Sequence, residues 1–93
     1  MSCHKKKRCC RILDSDKIYK PIGTNCFSNN SVEIFLDEFE AMRLCDHEKL
    51  SQIEASEKMN ISRGTVQRLL ETGRYKLIDA LLNDKLIIIK NKV

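Results

Sequence analysis

The stretch "MNISRGTVQRLL", residues 59–70, restricts the fold more than any other part of the chain. Met59 closes one segment of helical periodicity, and Ser62 is a good amino-terminal cap for another. Only Asn60 and Ile61 lie between them. So short a junction has to turn sharply, which usually takes a residue at positive φ; glycine adopts it most easily and asparagine next. Asn60 therefore makes the corner, and Ile61 anchors it from inside. Ahead of the corner, Ser51 opens a capping box, "SQIE", in which Glu54 reaches back to the Ser51 amide. The inward face of that helix is expected to hold Ile53, Ser56 or Ala55, and Met59, with the small residues letting the next helix approach. Beyond the corner, Val66, Leu69 or Leu70, Gly73, Leu77 and Leu81 recur every three to four residues and predict a long third helix. Asn83 is expected to end it in a left-handed conformation. These are the mechanics of a helix-turn-helix. They leave "SRGT" at the front of the third helix with nothing to bury.

A chain of 93 residues supports one domain with a modest core, and without tryptophan that core must be mostly aliphatic. A first helix is expected over "DEFEAMRLCDHEKL", capped by Asp37 with Glu40 in support and ended by the polar "DHEK". Its stripe is Leu36, Phe39, Met42 or Arg43, and Leu44. Glu38, Glu40, Glu54 and Glu57 read as caps and solvated faces, and His47 as a solvated turn residue. Ile12–Tyr19 supplies one short extended segment, "PIGTNCFSNNS" a loop, and "VEIF" (32–35) a short strand. The β-branched "KLIIIK" (85–90) reads as a terminal strand that pairs with 32–35, within the chain or across a dimer. The expected fold class is mainly α: a helix-turn-helix three-helix core with short β segments near the N-terminal side and at the C-terminus. Residues 1–31 form a basic, cysteine-containing arm and loop, and residues 32–93 the helix-turn-helix domain with its C-terminal strand.

Charge is unevenly spread. Residues 1–20 carry seven Lys/Arg against two Asp, residues 33–57 eight acids against two bases, and residues 58–93 eight bases against three acids. One side of such a domain seeks anions and another repels them. In a helix-turn-helix the front of the second helix of the motif enters the DNA major groove. Ser62, Arg63, Gly64, Thr65, Gln67 and Arg68 are the candidates there, with Glu71 one turn later. Arginine suits the two acceptors of guanine and glutamine suits adenine. Lys58, Arg74, Lys76 and the arm residues Lys5, Lys6, Lys7 and Arg8 are candidates for phosphate contact. Gly64 costs about 1 kcal/mol of helix propensity relative to alanine, and has two readings: it permits close approach to a backbone, or it is merely tolerated in a first turn.

"LDEFEAMRL" and "LSQIEASEKMNISRGTVQRLL", together with the basic start and the "KPIG" loop, resemble the family of small predicted DNA-binding proteins catalogued as domain of unknown function 134. The similarity covers nearly the whole chain. It implies a helix-turn-helix related to the promoter-reading region of sigma factors, no enzymatic activity, and no particular operator. Asn60 and Gly73 stand where that pattern leads one to expect glycine and alanine, and the arm departs most, through its extra cysteines and lysine run.

Cys3, His4, Cys9, Cys10 and Cys26 crowd the first 26 residues and offer soft ligands, for a zinc ion or an iron–sulfur cluster. The spacing argues against it: there is no Cys-x-x-Cys, and adjacent Cys9 and Cys10 rarely face one ion. Free thiols, and hence no cofactor, are the simpler expectation, with Cys45 in the core. The sequence holds no phosphate-cradling glycine loop, nucleophile–base set or metalloprotease helix, so it does not read as an enzyme. Its longest aliphatic run, Leu86–Ile89, is too short to span a bilayer, and its start shows no secretory signal. The expectation is a cytoplasmic, sequence-specific regulator that binds double-stranded DNA, without a membrane partner, and plausibly dimeric. The alternatives are an adaptor that keeps the helix-turn-helix shape but docks on RNA polymerase or another protein, and a metal or redox sensor working through the N-terminal cysteines.

Overall fold

The computed structural model describes residue 10, residues 16–23 and residues 30–91. The elements run β1 (Lys17–Tyr19), β2 (Ser31–Ile34), α1 (Leu36–Met42, continued by a π turn, Arg43–His47), α2 (Gln52–Met59), α3 (Arg63–Leu82) and β3 (Leu86–Ile89). The architecture is mainly α with short β segments, as expected from the sequence, and the three strands join in one sheet.

The helices end where the backbone turns left-handed. Among the described residues, positive φ outside glycine occurs at Lys49 (66°), Asn60 (60°) and Asp84 (55°). Around Asn60 the Ile61 amide donates to the Ser56 carbonyl at 3.1 Å, and around Asp84 the Lys85 amide donates to the Ala80 carbonyl at 2.9 Å. Both bonds close a carbonyl that the last helical turn leaves open. The π turn closes in a similar way, with the Glu48 amide on the Arg43 carbonyl (2.9 Å) and the Leu50 amide on the Leu44 carbonyl (3.0 Å). Asn83, expected to be the left-handed residue, has φ −110° instead. Its side-chain amide donates to the Asp79 carbonyl and carboxylate at 3.1 and 2.8 Å, which fixes it against the last turn and passes the reversal to Asp84.

The start of α1 also differs from expectation. Phe35, not Asp37, is the extended residue before the helix. Its amide donates to Glu38 Oε1 at 3.0 Å, while Asp37 sits inside the first turn and accepts from the Glu38 amide at 2.8 Å. Acids in a first turn complement the positive end of the helix dipole, so Asp37 stabilises the turn without capping it.

In the sheet, β3 lies between β1 and β2, antiparallel to the first and parallel to the second. The "LIII" strand thus pairs with β2 within one chain. Ile87 is level with Val32 and Ile89 with Ile34, all on the face turned to α3, while Ile88 and Ile18 pair on the other face. Because β1 joins this sheet, residues 17–19, grouped with the arm on sequence grounds, are tied to the body of residues 32–93.

Two apolar clusters result. One lies among the helices: Ala41, Leu44, Ala55, Met59, Val66 and Leu70, with Ile61 and Leu69 against them. The other lies between α3 and the sheet: Ile34, Ala80, Ile87 and Ile89. Met42 packs on both. The inward stripe of α3 is Val66, Leu70, Gly73, Ala80, with Leu77 half-buried; Leu81 is largely exposed. Alternating steps of four and three hold a stripe to one face of a 3.6-residue helix, whereas a second step of four, from Leu77 to Leu81, rotates off it. Ile53 is exposed too, because α2 buries Ala55, Ser56 and Met59, a face centred about 115° around the helix from Ile53.

Gly73 is where α1 and α3 meet. A Cβ there would lie 3.0 Å from Met42 Cε, 3.3 Å from its Sδ and 3.4 Å from Glu38 Cβ. Met42 is unbranched and lines an open cavity of about 490 Å³, so it has room to shift. Gly73→Ala is therefore expected to raise stability by about 0.5 kcal/mol, the propensity gain less a small packing cost. Urea unfolding measures it; a loss of stability would mean that Met42 is pinned.

Candidate nucleic-acid interface

The corner determines what α3 presents. Asn60 at φ 60°, ψ 45° turns the chain, and Ser62 restarts the helix by accepting the Thr65 amide on its Oγ at 3.1 Å. Ile61 is half-buried against the helical cluster, and Val66 and Leu70 fix the rear of α3. Ser62, Arg63, Gln67 and Arg68 consequently face outward, with Gly64 and Thr65 half-buried among them. Asn60→Ala forces a Cβ-bearing side chain without a local hydrogen-bonding group into the left-handed region. It is expected to cost about 1 kcal/mol of stability, and Asn60→Gly almost nothing; thermal unfolding of the two variants separates them.

Two short polar chains preset the exposed side chains. In one, Arg68 Nη2 donates to Thr65 Oγ1 at 3.2 Å, and Thr65 Oγ1 lies 2.9 Å from Ser62 Oγ. In the other, Arg63 Nη1 donates to Gln52 Oε1 on the first turn of α2 at 3.0 Å, while Gln67 Nε2 donates to Glu71 Oε2 at 3.3 Å. Among the described residues neither Arg63 nor Arg68 is paired with a carboxylate. Their charge is available to an outside anion. Gln52 is absent from the candidates taken from the sequence; eleven residues separate it from Arg63, and only the corner brings the two helix starts together.

The other cations divide. Lys58 is exposed on the last turn of α2. Arg74 forms a two-pronged pair with Asp46, at 3.1 and 2.7 Å, which holds its guanidinium firmly charged but locally neutralised. Lys76 is drawn inward. Its Nζ donates to Glu38 Oε1 and Oε2 (2.9 and 3.1 Å) and to the Glu33 carbonyl (2.8 Å), and lies 4.6 Å from the centre of the Phe35 ring. Lys76 therefore ties α3 to the β2–α1 junction and is not placed as a phosphate contact. The α1 acids change role accordingly: Glu38 and Glu40 are buried, not solvated, and Glu40 holds Arg43 through two bonds of 2.9 Å. Glu54 caps α2 as expected, accepting from the Ser51 amide at 2.9 Å.

Lys5, Lys6, Lys7, Arg8, Cys3, His4, Cys9 and Cys26 lie outside the described residues. Cys10 packs, like Cys45, against the helical cluster. Burial, and then Asp46, push the Cys45 thiol above its ordinary range against a smaller opposing effect of Arg74. No group of three or more His, Cys, Asp or Glu that could hold a metal ion occurs among the described residues, and no helix there is long and apolar enough to cross a membrane. The 490 Å³ cavity is lined by Ile34, Phe39, Leu77 and Ile89 under Arg43, Asp46 and His47, away from the start of α3.

Fold and surface together define a small, mainly α domain that exposes the cationic start of α3. The chain belongs to the family described as "Protein of unknown function DUF134", which matches residues 1–92. It is similar to a UPF0251 protein of Chloroherpeton thalassium, 43% identical over 78 residues that make up 84% of this chain and 52% of that protein. A UPF0251 protein of Dehalococcoides mccartyi strain BAV1 is 42% identical over 88 residues, 92% of this chain and 75% of its own. One from Caldicellulosiruptor bescii is 48% identical over 63 residues, 68% of this chain and 45% of its own. The chain thus spans about half the length of the Chloroherpeton relative. No solved structure matches it.

Proposed function

We propose that this protein is a sequence-specific DNA-binding regulator of transcription, acting in the cytoplasm and without enzymatic activity, with α3 as its recognition helix. The observation that carries the reading is the pair Arg63 and Arg68, exposed on the first two turns of a helix that the corner aims outward, and matched by no carboxylate among the described residues. A helix start of this kind fits the major groove, where Arg and Gln side chains meet base edges. In this reading Arg63, Gln67 and Arg68 contact bases, the Ser62–Thr65 turn approaches a phosphate, and Lys58 and the arm residues Lys5, Lys6, Lys7 and Arg8 contact the backbone. Gln52 holds Arg63 in place, and Lys76 has no part.

Selection of duplexes from a random pool, followed by titration of the winner at several salt concentrations, tests the proposal. Each neutralised phosphate contributes about −0.9 to the slope of log affinity against log salt, so four or five contacts predict a slope near −4. A pool that yields no preferred duplex, or binding indifferent to salt, would sink the DNA reading and leave the protein-docking adaptor in its place.

A further inference from the structure

The exposed face of α3 changes character along its length. Its first turns are polar, but its last two present Tyr75, Ile78, Leu81 and Leu82, which are 71%, 52%, 62% and 76% exposed. The spacing of three and four puts Tyr75, Ile78 and Leu82 on one stripe with Leu81 beside it. Tyr19 of β1, 56% exposed, continues the surface: it lines with Leu81, Pro21, Ala80 and Ile87 a cavity of about 160 Å³. Tyr19, Tyr75, Ile78, Leu81 and Leu82 together present on the order of 600 Å² of mostly apolar surface, at the upper end of what a monomer leaves in one patch and most of the roughly 800 Å² each partner gives to a standard interface.

We infer that this patch is a two-fold interface between two copies of the chain. The charges at its rim select that occupant. Lys20 and Asp84 both border the small cavity. Asp79 and Lys85 beside them are already joined at 2.8 Å, whereas among the described residues Lys20 and Asp84 make no hydrogen bond or ion pair. One unmatched charge of each sign on a single apolar patch is self-complementary: under a two-fold axis Lys20 of each copy meets Asp84 of the other, twice. A foreign partner would need no such balance. Ile78 lies near the middle of the stripe, on the order of 20 Å along the helix from Arg63–Arg68, so each copy keeps its helix start uncovered. The inference does not rest on DNA binding, and it is tested without DNA.

Sedimentation equilibrium of the full chain is expected to show a dimer that dissociates on dilution. Ile78→Glu places a charge in the centre of the patch and should weaken association at least a hundredfold. Lys20→Glu alone and Asp84→Lys alone each set like charges against one another twice and should weaken it about tenfold or more, whereas the double variant restores both pairs and should return to within about threefold of the parent. All three positions are on the surface, and Lys49 already holds a left-handed conformation, so circular dichroism should be unchanged in every variant. A parent chain that stays monomeric at about 100 μM, near the weakest affinity a specific interface would show, or a dimer indifferent to Ile78→Glu, overturns the interface. Failure of the double variant to recover overturns the facing of Lys20 and Asp84.

Discussion

Arg68→Ala is expected to weaken binding to a selected duplex by about 5- to 150-fold, the equivalent of roughly 1–3 kcal/mol, and to relax preference at one base pair. The side chain is exposed, has no carboxylate partner among the described residues and is steered by the Thr65 hydroxyl at 3.2 Å, so its removal exposes no buried group. Unfolding stability should therefore stay within about 0.5 kcal/mol of the parent. Arg68→Lys refines the test, since it keeps the charge but loses the planar fork that grips guanine. If Arg68 reads a base, the lysine variant loses preference almost as fully as alanine while keeping more of the salt-dependent affinity. Competition between duplexes changed at each position measures both. Uniform weakening without a change of preference would assign Arg68 to the phosphate backbone, and no weakening would remove it from the interface.

Lys76→Met is expected to destabilise the fold by about 2–4 kcal/mol, because it leaves the Glu38 carboxylate buried without its cation. The value is set below that of a fully buried pair, since the Lys76 side chain keeps 23% of its exposure. Three attachments are lost together: the pair with Glu38, the bond to the Glu33 carbonyl and the contact with the Phe35 ring. Adding Glu38→Gln should recover much of the loss, because the neutral side chain still accepts the Phe35 amide and no longer needs a counter-charge. Urea unfolding of the two single variants and the double completes the cycle. A single Lys76→Met variant as stable as the parent would show that the clamp contributes nothing.

Local chemistry explains most of what the sequence conveyed. Ser51 with Glu54, Asn60 and Ser62 act within one helical turn, and the capping box, the left-handed corner and the restart of α3 all appear where their residue types place them. The two short strands are legible for the same reason, as β-branched runs of fitting length. What the sequence left out has two origins. Lys49 and Asp84 are left-handed although neither is glycine or asparagine, because the bonds closing the preceding helices demand that geometry at those positions. Ile53 and Leu81 fit an apolar period but lie off the faces that α2 and α3 bury, and a period does not say which of two adjacent stripes turns inward.

By itself, then, the chain determined its corner, the starts of α2 and α3 and the outward aim of Arg63, Gln67 and Arg68, since each depends on atoms a few residues apart. Tertiary structure alone decided which charges remain available. Lys76 and Arg74 look like Arg68 in the sequence, yet one is drawn to Glu38 from 38 positions away and the other to Asp46 from 28. An ion pair is made by whatever opposite charge the packed backbone brings within about 3 Å, and no count of basic residues along a chain contains that distance.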